Sequence, residues 1–173
     1  MIPTVEEIEV ALARLFDIQK HLCLPTTTMF FEHEIDFLAV RQSGYAVEVE
    51  IKRSVFDMKA EKKKTHNHES NKIVEVYYCF PKDIIDQCFL LVPKEAGVLQ
   101  VKSNGVGGWK VTCIRSPVRN KNARKLTEKE INKILRYSNY RVWGFKRKIV
   151  KLQKQKVHEQ RKNNKQRKTT KNR

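Results

Sequence analysis

An α/β fold, with a mixed central sheet flanked by helices and followed by a strongly basic extension, is predicted by three patterns. Apolar residues recur at helical spacing near the N-terminus. Two segments then alternate apolar and polar residues around a short turn, and a continuous apolar run follows a polar helix. The resulting order is helix, three strands, helix, strand.

The first helix is expected from Thr4 to about Lys20, because Val5, Ile8, Leu12, Leu15 and Phe16 follow a 3.6-residue period after Pro3 and a Thr4 cap. The β-prone run TTTMFF, residues 26–31, is the first expected strand, and residues 34–41 and 45–53 are the next two, joined through Gln42, Ser43 and Gly44. Ser54, with Asp57 three residues on, caps a polar helix through VFDMKAEKKKTH. Residues 72–80, KIVEVYYCF, have the apolar continuity of a central strand ending at Pro81, which assigns Tyr77, Tyr78 and Phe80 to the core. DIIDQC reads as a short helix; FLLV, GVLQV and WKVTCIR read as short strands. Thr127 and Glu130 form a capping box for a helix reaching about Trp143. From Lys146 onward there are thirteen Lys and Arg and one Glu, a tail predicted to be helical at its start and disordered at its end. The expected division is therefore residues 1–145 as one domain and 146–173 as the basic tail.

Thirty-six Lys and Arg against nineteen Asp and Glu make a polyanion the expected partner. Apolar runs are too short to span a membrane, and the N-terminus opens acidic and amphipathic, so an intracellular, cytoplasmic protein without a membrane partner is expected. Cys23, Cys79, Cys88 and Cys113 lack the spacing of a disulfide framework or a structural zinc site and read as small buried side chains.

Against that positive background, Glu34, Asp36, Glu48 and Glu50 fall within seventeen residues. With a three-residue loop at 42–44, facing residue numbers sum to 86, so Asp36 faces Glu50 and Glu34 faces Lys52. One strand face then carries Ile35, Phe37, Ala39, Val47, Val49 and Ile51; the acids, Leu38 and Lys52 share the other. A one-residue slip would split the apolar face. Opposed side chains have Cβ atoms about 4.5–5.5 Å apart, and like charges there oppose folding. A divalent cation held by carboxylate oxygens would compensate, with Lys52 placed to orient water or meet phosphoryl charge. The alternative is a solvated outer face on which Glu34 and Lys52 form a weak ion pair.

The segments EIDF and GYAVEVEIKRSVFDMKAEKKKTH resemble the PD-(D/E)xK nuclease superfamily, of restriction-endonuclease-like fold, and within it a phage and bacterial DNA-processing group. The resemblance spans about residues 4–101 and implies an α-β-β-β-α-β core. It implies Asp36 and Glu50 as metal ligands, Lys52 as the catalytic lysine, the Ile51 backbone carbonyl as a further ligand, and Mg²⁺ as cofactor with Mn²⁺ able to substitute. It also implies a glutamate from the first helix, for which Glu9 is the best placed; a salt-bridged helix edge is the other reading of Glu9. Ile35 stands where the superfamily name has proline. Glu48 is an additional acid that either supports the ligands or faces solvent. Lys59, Lys63 and His66 share a helix face, and in the resembling group such a basic helix lies beside the substrate backbone, which implies phosphate contacts for Lys59, Lys63 and Lys64 and, with a helix-end cap as its other reading, His66. Lys146, Arg147 and Lys148 open the tail, which lacks aromatic partners and so fits sequence-independent backbone binding.

The expected function is a Mg²⁺-dependent nuclease acting on DNA, with RNA as a second candidate substrate, structure-directed or nonspecific, in phage or bacterial DNA processing or repair. A homodimer is compatible with this reading. The competing classes are a catalytically inactive nucleic-acid-binding module of the same fold and a basic RNA- or ribosome-associated structural protein.

Overall fold

The computed structural model describes residues 2–29, 31, 33–61 and 70–171. It is α/β and divides into two units, Met1–Glu130 and Ile131–Arg173. The division falls fifteen residues before the composition change at Lys146, because one continuous helix crosses both positions.

In the first unit, α1 (Val5–Leu15) opens with the expected Thr4 cap, which Glu7 completes into a capping box: the Thr4 N–H donates to Glu7 Oε2 at 2.8 Å, and the Glu7 N–H donates to Thr4 Oγ1 at 3.2 Å. It stops five residues short of Lys20. Phe16 leaves the helical path to pack on Phe37 and Tyr77, with centroids 5.9 and 6.1 Å away, and Asp17 takes φ of 51°, which Asp tolerates.

Strand β1 (Leu22–Thr27) lies earlier than the expected strand at 26–31. Leu22 and Leu24 face Val40 and Leu38, and burial against those partners outweighs the β propensity of the threonines. Pro25 is tolerated because β1 is an edge strand. Strands β2 (Ile35–Val40) and β3 (Ala46–Ile51) form the expected hairpin. α2 (Val55–Glu61) starts with the Asp57 N–H donating to Ser54 Oγ at 3.1 Å; residues 62–66 of the expected helix lie outside the described residues. Strand β4 (Ile73–Pro81) is central, and a 3₁₀ turn at Lys82–Ile84 leads into α3 (Ile85–Phe89).

FLLV is not a strand: Phe89 ends α3 and Leu90–Val92 turn, with the Leu91 N–H bonded to the Cys88 carbonyl at 2.8 Å. Four residues leave no room to cross the sheet, so they close the crossover instead. Strands β5 (Gly97–Ser103) and β6 (Trp109–Arg115) complete a six-stranded sheet in the order β1 to β6. β3, β4 and β5 are parallel and the other pairs antiparallel, so the sheet is mixed.

Both parallel crossovers step the same way along the sheet, and right-handed connection puts α2 and α3 on one face. There Met58, Ile85 and Cys88 pack with Tyr78, Phe80 and Val98. The opposite face buries Ile8 and Leu12 of α1 with Phe37, Val49 and Val101. Gly97 faces Tyr77, and a Cβ on it would lie 2.4 Å from Tyr77 Cδ1 and 3.0 Å from the Arg115 carbonyl oxygen. Gly97→Ala is therefore expected to destabilise the unit by about 1–3 kcal/mol. The check is a lower urea midpoint at unchanged slope.

The chain after β6 is tied back to the hairpin: the Leu126 N–H donates to the Gly44 carbonyl at 2.8 Å. The predicted capping box then starts α4 (Glu128–Lys171), with the Thr127 N–H donating to Glu130 Oε2 at 2.8 Å and Arg124 gripping both Glu130 oxygens at 2.7 and 2.8 Å. The Arg124 hydrogen bonds pull the Glu130 carboxyl down to about 2. Its contribution is thus present above about pH 4.5 and is lost as pH falls toward 2. Glu130→Gln is expected to cost about 1–2 kcal/mol at pH 7. In urea melts across pH, the difference from wild type should shrink below pH 4.5.

The second unit consists of the rest of α4 among the described residues. Helix continues to Lys171, past the expected onset of disorder, in a run dominated by the good helix formers Lys, Arg and Gln.

Candidate active site

The hairpin has the register that the period of two demands: Phe37 faces Val49, Leu38 faces Glu48, Ala39 faces Val47 and Val40 faces Ala46, each pair summing to 86. Gly44, at φ of 85°, makes the loop possible, and its N–H donates to the Arg41 carbonyl at 2.8 Å. One step beyond Phe37 and Val49, the last pair of this ladder, come Asp36 and Glu50. At that end the Ile51 N–H donates to Asp36 Oδ2 at 2.8 Å, so a carboxylate stands where ladder alternation would put a backbone acceptor. Beyond it, the Lys52 N–H donates to the Cys79 carbonyl at 3.0 Å, fixing the lysine to β4.

Glu50 and Lys52 are buried, and Asp36, with a third of its side chain exposed, faces the opening to solvent. Lys52 Nζ lies 2.5 Å from Glu50 Oε2 and 3.9 Å from Asp36 Oδ2, so the ammonium partly compensates both acids. Compensation is incomplete. Burial, with Asp36 adding to it, outweighs Lys52 and raises the Glu50 carboxyl to about 7. Glu50 Oε1 is buried and has no hydrogen-bond partner among the described residues.

These features fit a hard divalent cation. A buried carboxylate oxygen lacking a donor, a second carboxylate across the strand pair and the adjacent Ile51 backbone supply oxygen ligands of the kind Mg²⁺ takes alongside water. Among the described residues no group of three or more His, Cys, Asp or Glu side chains converges as a metal cage. Glu9 is half-buried on α1, which packs on the face of Phe37 and Val49, opposite to that of Glu50.

Glu48 is not solvated. It is fully buried, and its Oε1 lies 2.7 Å from His33 Nε2. His33 was missed in the sequence reading because 33 and 48 do not sum to 86: the contact comes from the β1–β2 connection and obeys no strand period. Its only signal was position, a histidine three residues before the first ligand candidate.

Of the candidate phosphate contacts, Lys59 is exposed on α2, beside an exposed Phe56, whereas Lys63, Lys64 and His66 lie outside the described residues. Lys146, Arg147 and Lys148 are exposed on α4. They do have aromatic neighbours: Lys146 Nζ lies 5.3 Å from the Trp143 ring centre, Arg147 lies over Tyr140 and Lys148 over Phe145. Helix brings these rings, which precede the tail, within about two turns of its cations. Trp143 itself is exposed. Tyr78 and Phe80 are core as expected; Cys79 and Cys88 are buried, while Cys113 is exposed. No helix among the described residues is long and apolar enough to cross a membrane.

No family model matches the chain, and no curated protein does. Among solved structures the chain is similar to SPO1766, a protein of unknown function from Silicibacter pomeroyi. The two share 15% identity over 79% of this chain and 86% of the other, with a TM-score of 0.60. At that identity the likeness is one of fold.

Proposed function

We propose that the chain is a Mg²⁺- or Mn²⁺-dependent nuclease of restriction-endonuclease-like fold that hydrolyses DNA phosphodiester bonds in phage or bacterial DNA processing or repair. The observation that carries this reading is the meeting of Asp36, Glu50 and Lys52 at one strand end, with Glu50 Oε1 buried and lacking a donor. Asp36, Glu50 and the Ile51 carbonyl would hold the cation. When bound, a divalent cation supplies Lewis-acid polarisation of the phosphate and a more acidic water. Asp36 keeps its strand end in place through the Ile51 N–H, and Glu50 offers the donor-free oxygen. Lys52, held by Glu50, carries the positive charge that can meet charge developing on a non-bridging phosphate oxygen.

Charge distribution supports a polyanionic substrate. The second unit has sixteen Lys and Arg against one Glu, so it carries +15 of the chain's +17. Exposed Lys59, Lys146, Arg147 and Lys148 would hold backbone phosphates without reading sequence.

A binding module without catalysis is the second reading, favoured by the 2.5 Å Lys52–Glu50 contact, which leaves the site partly compensated with no cation. Labelled linear, flapped and four-way DNAs incubated with Mn²⁺ and either wild-type or Lys52→Ala protein separate the two. A nuclease gives metal-dependent products that the variant forms at least about a hundredfold more slowly. Retarded but intact DNA supports the module, and equal cutting by both proteins removes the catalytic assignment.

A further inference from the structure

Along α4, positions 131, 135, 138, 142, 145, 149 and 152 step alternately by four and three residues. They hold Ile131, Leu135, Ser138, Val142, Phe145, Ile149 and Leu152, so six of the seven are apolar. That series is a 3.5-residue repeat over three heptads, the period that keeps one seam facing a second helix. A lipid surface or a wide groove asks only for an apolar arc. The seam is open to solvent: Leu135, Val142, Phe145, Ile149 and Leu152 are between 44% and 57% exposed.

We propose that this seam pairs α4 with α4 of a second copy of the chain. Three features of the helix select that occupant. At the seam position of Leu135, Val142 and Ile149 two of the three residues are β-branched, which favours two strands, while Ile131, Ser138, Phe145 and Leu152 stand at the other. At about 100° per residue, Arg136, Arg147, Lys151 and Lys154 lie roughly 120° or more around the helix from Val142, so two seams can meet with most cations turned outward. Of the cations nearer the seam, Lys146, about 40° from Val142, lies 5.3 Å from the Trp143 ring centre and Arg141, about 100° away, 5.8 Å from that of Phe145, while Lys156 stands where the apolar series ends.

Pairing by this route brings together two units that each carry +15. Apolar contact drives it and like charge opposes it, so added salt, which screens the repulsion, strengthens it. An anionic partner of any kind would show the opposite dependence. The dimer leaves a cationic face on each side, and its formation is independent of whether the first unit cleaves DNA.

Sedimentation equilibrium of the full chain, freed of nucleic acid, between 0.1 and 1 M NaCl tests this. The expected result is a dimer of the 20.4 kDa chain whose affinity rises with salt. Val142→Gln combined with Ile149→Gln, which keeps charge and helix propensity, is expected to weaken it at least about tenfold. Ser138→Leu, which completes the series, is expected to tighten it. A monomer at every salt concentration overturns the proposal, as does a dimer indifferent to both variants or one that weakens with salt. So does a monomer whose seam instead captures phosphatidylserine vesicles or a synthetic helix with Leu at a and d and Glu at e and g.

Discussion

Glu50→Gln is expected to lower Mn²⁺-dependent DNA cleavage by a factor on the order of 10²–10³ while leaving the fold intact. The substitution keeps the shape of the side chain and removes only the negative charge. That charge is already disfavoured, since burial and Asp36 raise the carboxyl to about 7, so its loss does not unfold the sheet. Asp36→Asn should act on the same step, and the double variant should be little worse than either single one, because both residues serve one cation. Full cleavage by Glu50→Gln protein, with unchanged circular dichroism, would exclude Glu50 from the chemistry.

Mn²⁺ is expected to raise the melting temperature of the chain strongly at pH 8 and hardly at all at pH 5.5. Glu50 must lose its proton to serve as a ligand, and with its carboxyl raised to about 7 the affinity should fall about thirtyfold between pH 8 and pH 5.5. The sign for the metal-free chain follows from the same carboxyl. Its folded value of about 7 lies above the ordinary 4.5, so the folded chain holds the proton more tightly than the unfolded chain. The stability this confers is complete below about 4.5 and is lost as pH rises through 7, where a bound cation would restore it. Titration calorimetry at pH 6 in buffers of different ionisation heat should show proton release on Mn²⁺ binding, and Asp36→Ala should abolish the binding. A thermal shift of equal size at both pH values would mean that Glu50 is not a ligand.

The hairpin was legible because its logic is local. Period-two alternation, a three-residue loop ending in glycine and an apolar face that tolerates no slip together leave one register, so the pairing of Phe37 with Val49 and of Leu38 with Glu48 was legible in the sequence. The cap at Thr4 and the capping box at Thr127–Glu130 were legible for the same reason, since each is closed within four residues. The first strand and FLLV were not: residues 26–31 have the stronger β propensity, yet Leu22 and Leu24 had the partners Val40 and Leu38. Pairing across the sheet outweighs propensity.

By itself, then, the sequence determined the order of the first six elements, the hairpin register and the charge asymmetry, because periodicity, caps and composition act between near neighbours. Tertiary structure alone decided that Glu48 is buried against His33, that Lys52 bridges the acid pair and that Glu50 holds its proton near neutrality. Each of these depends on how much water reaches a carboxylate and which charge stands beside it, and both are set by elements that meet only when the sheet is assembled.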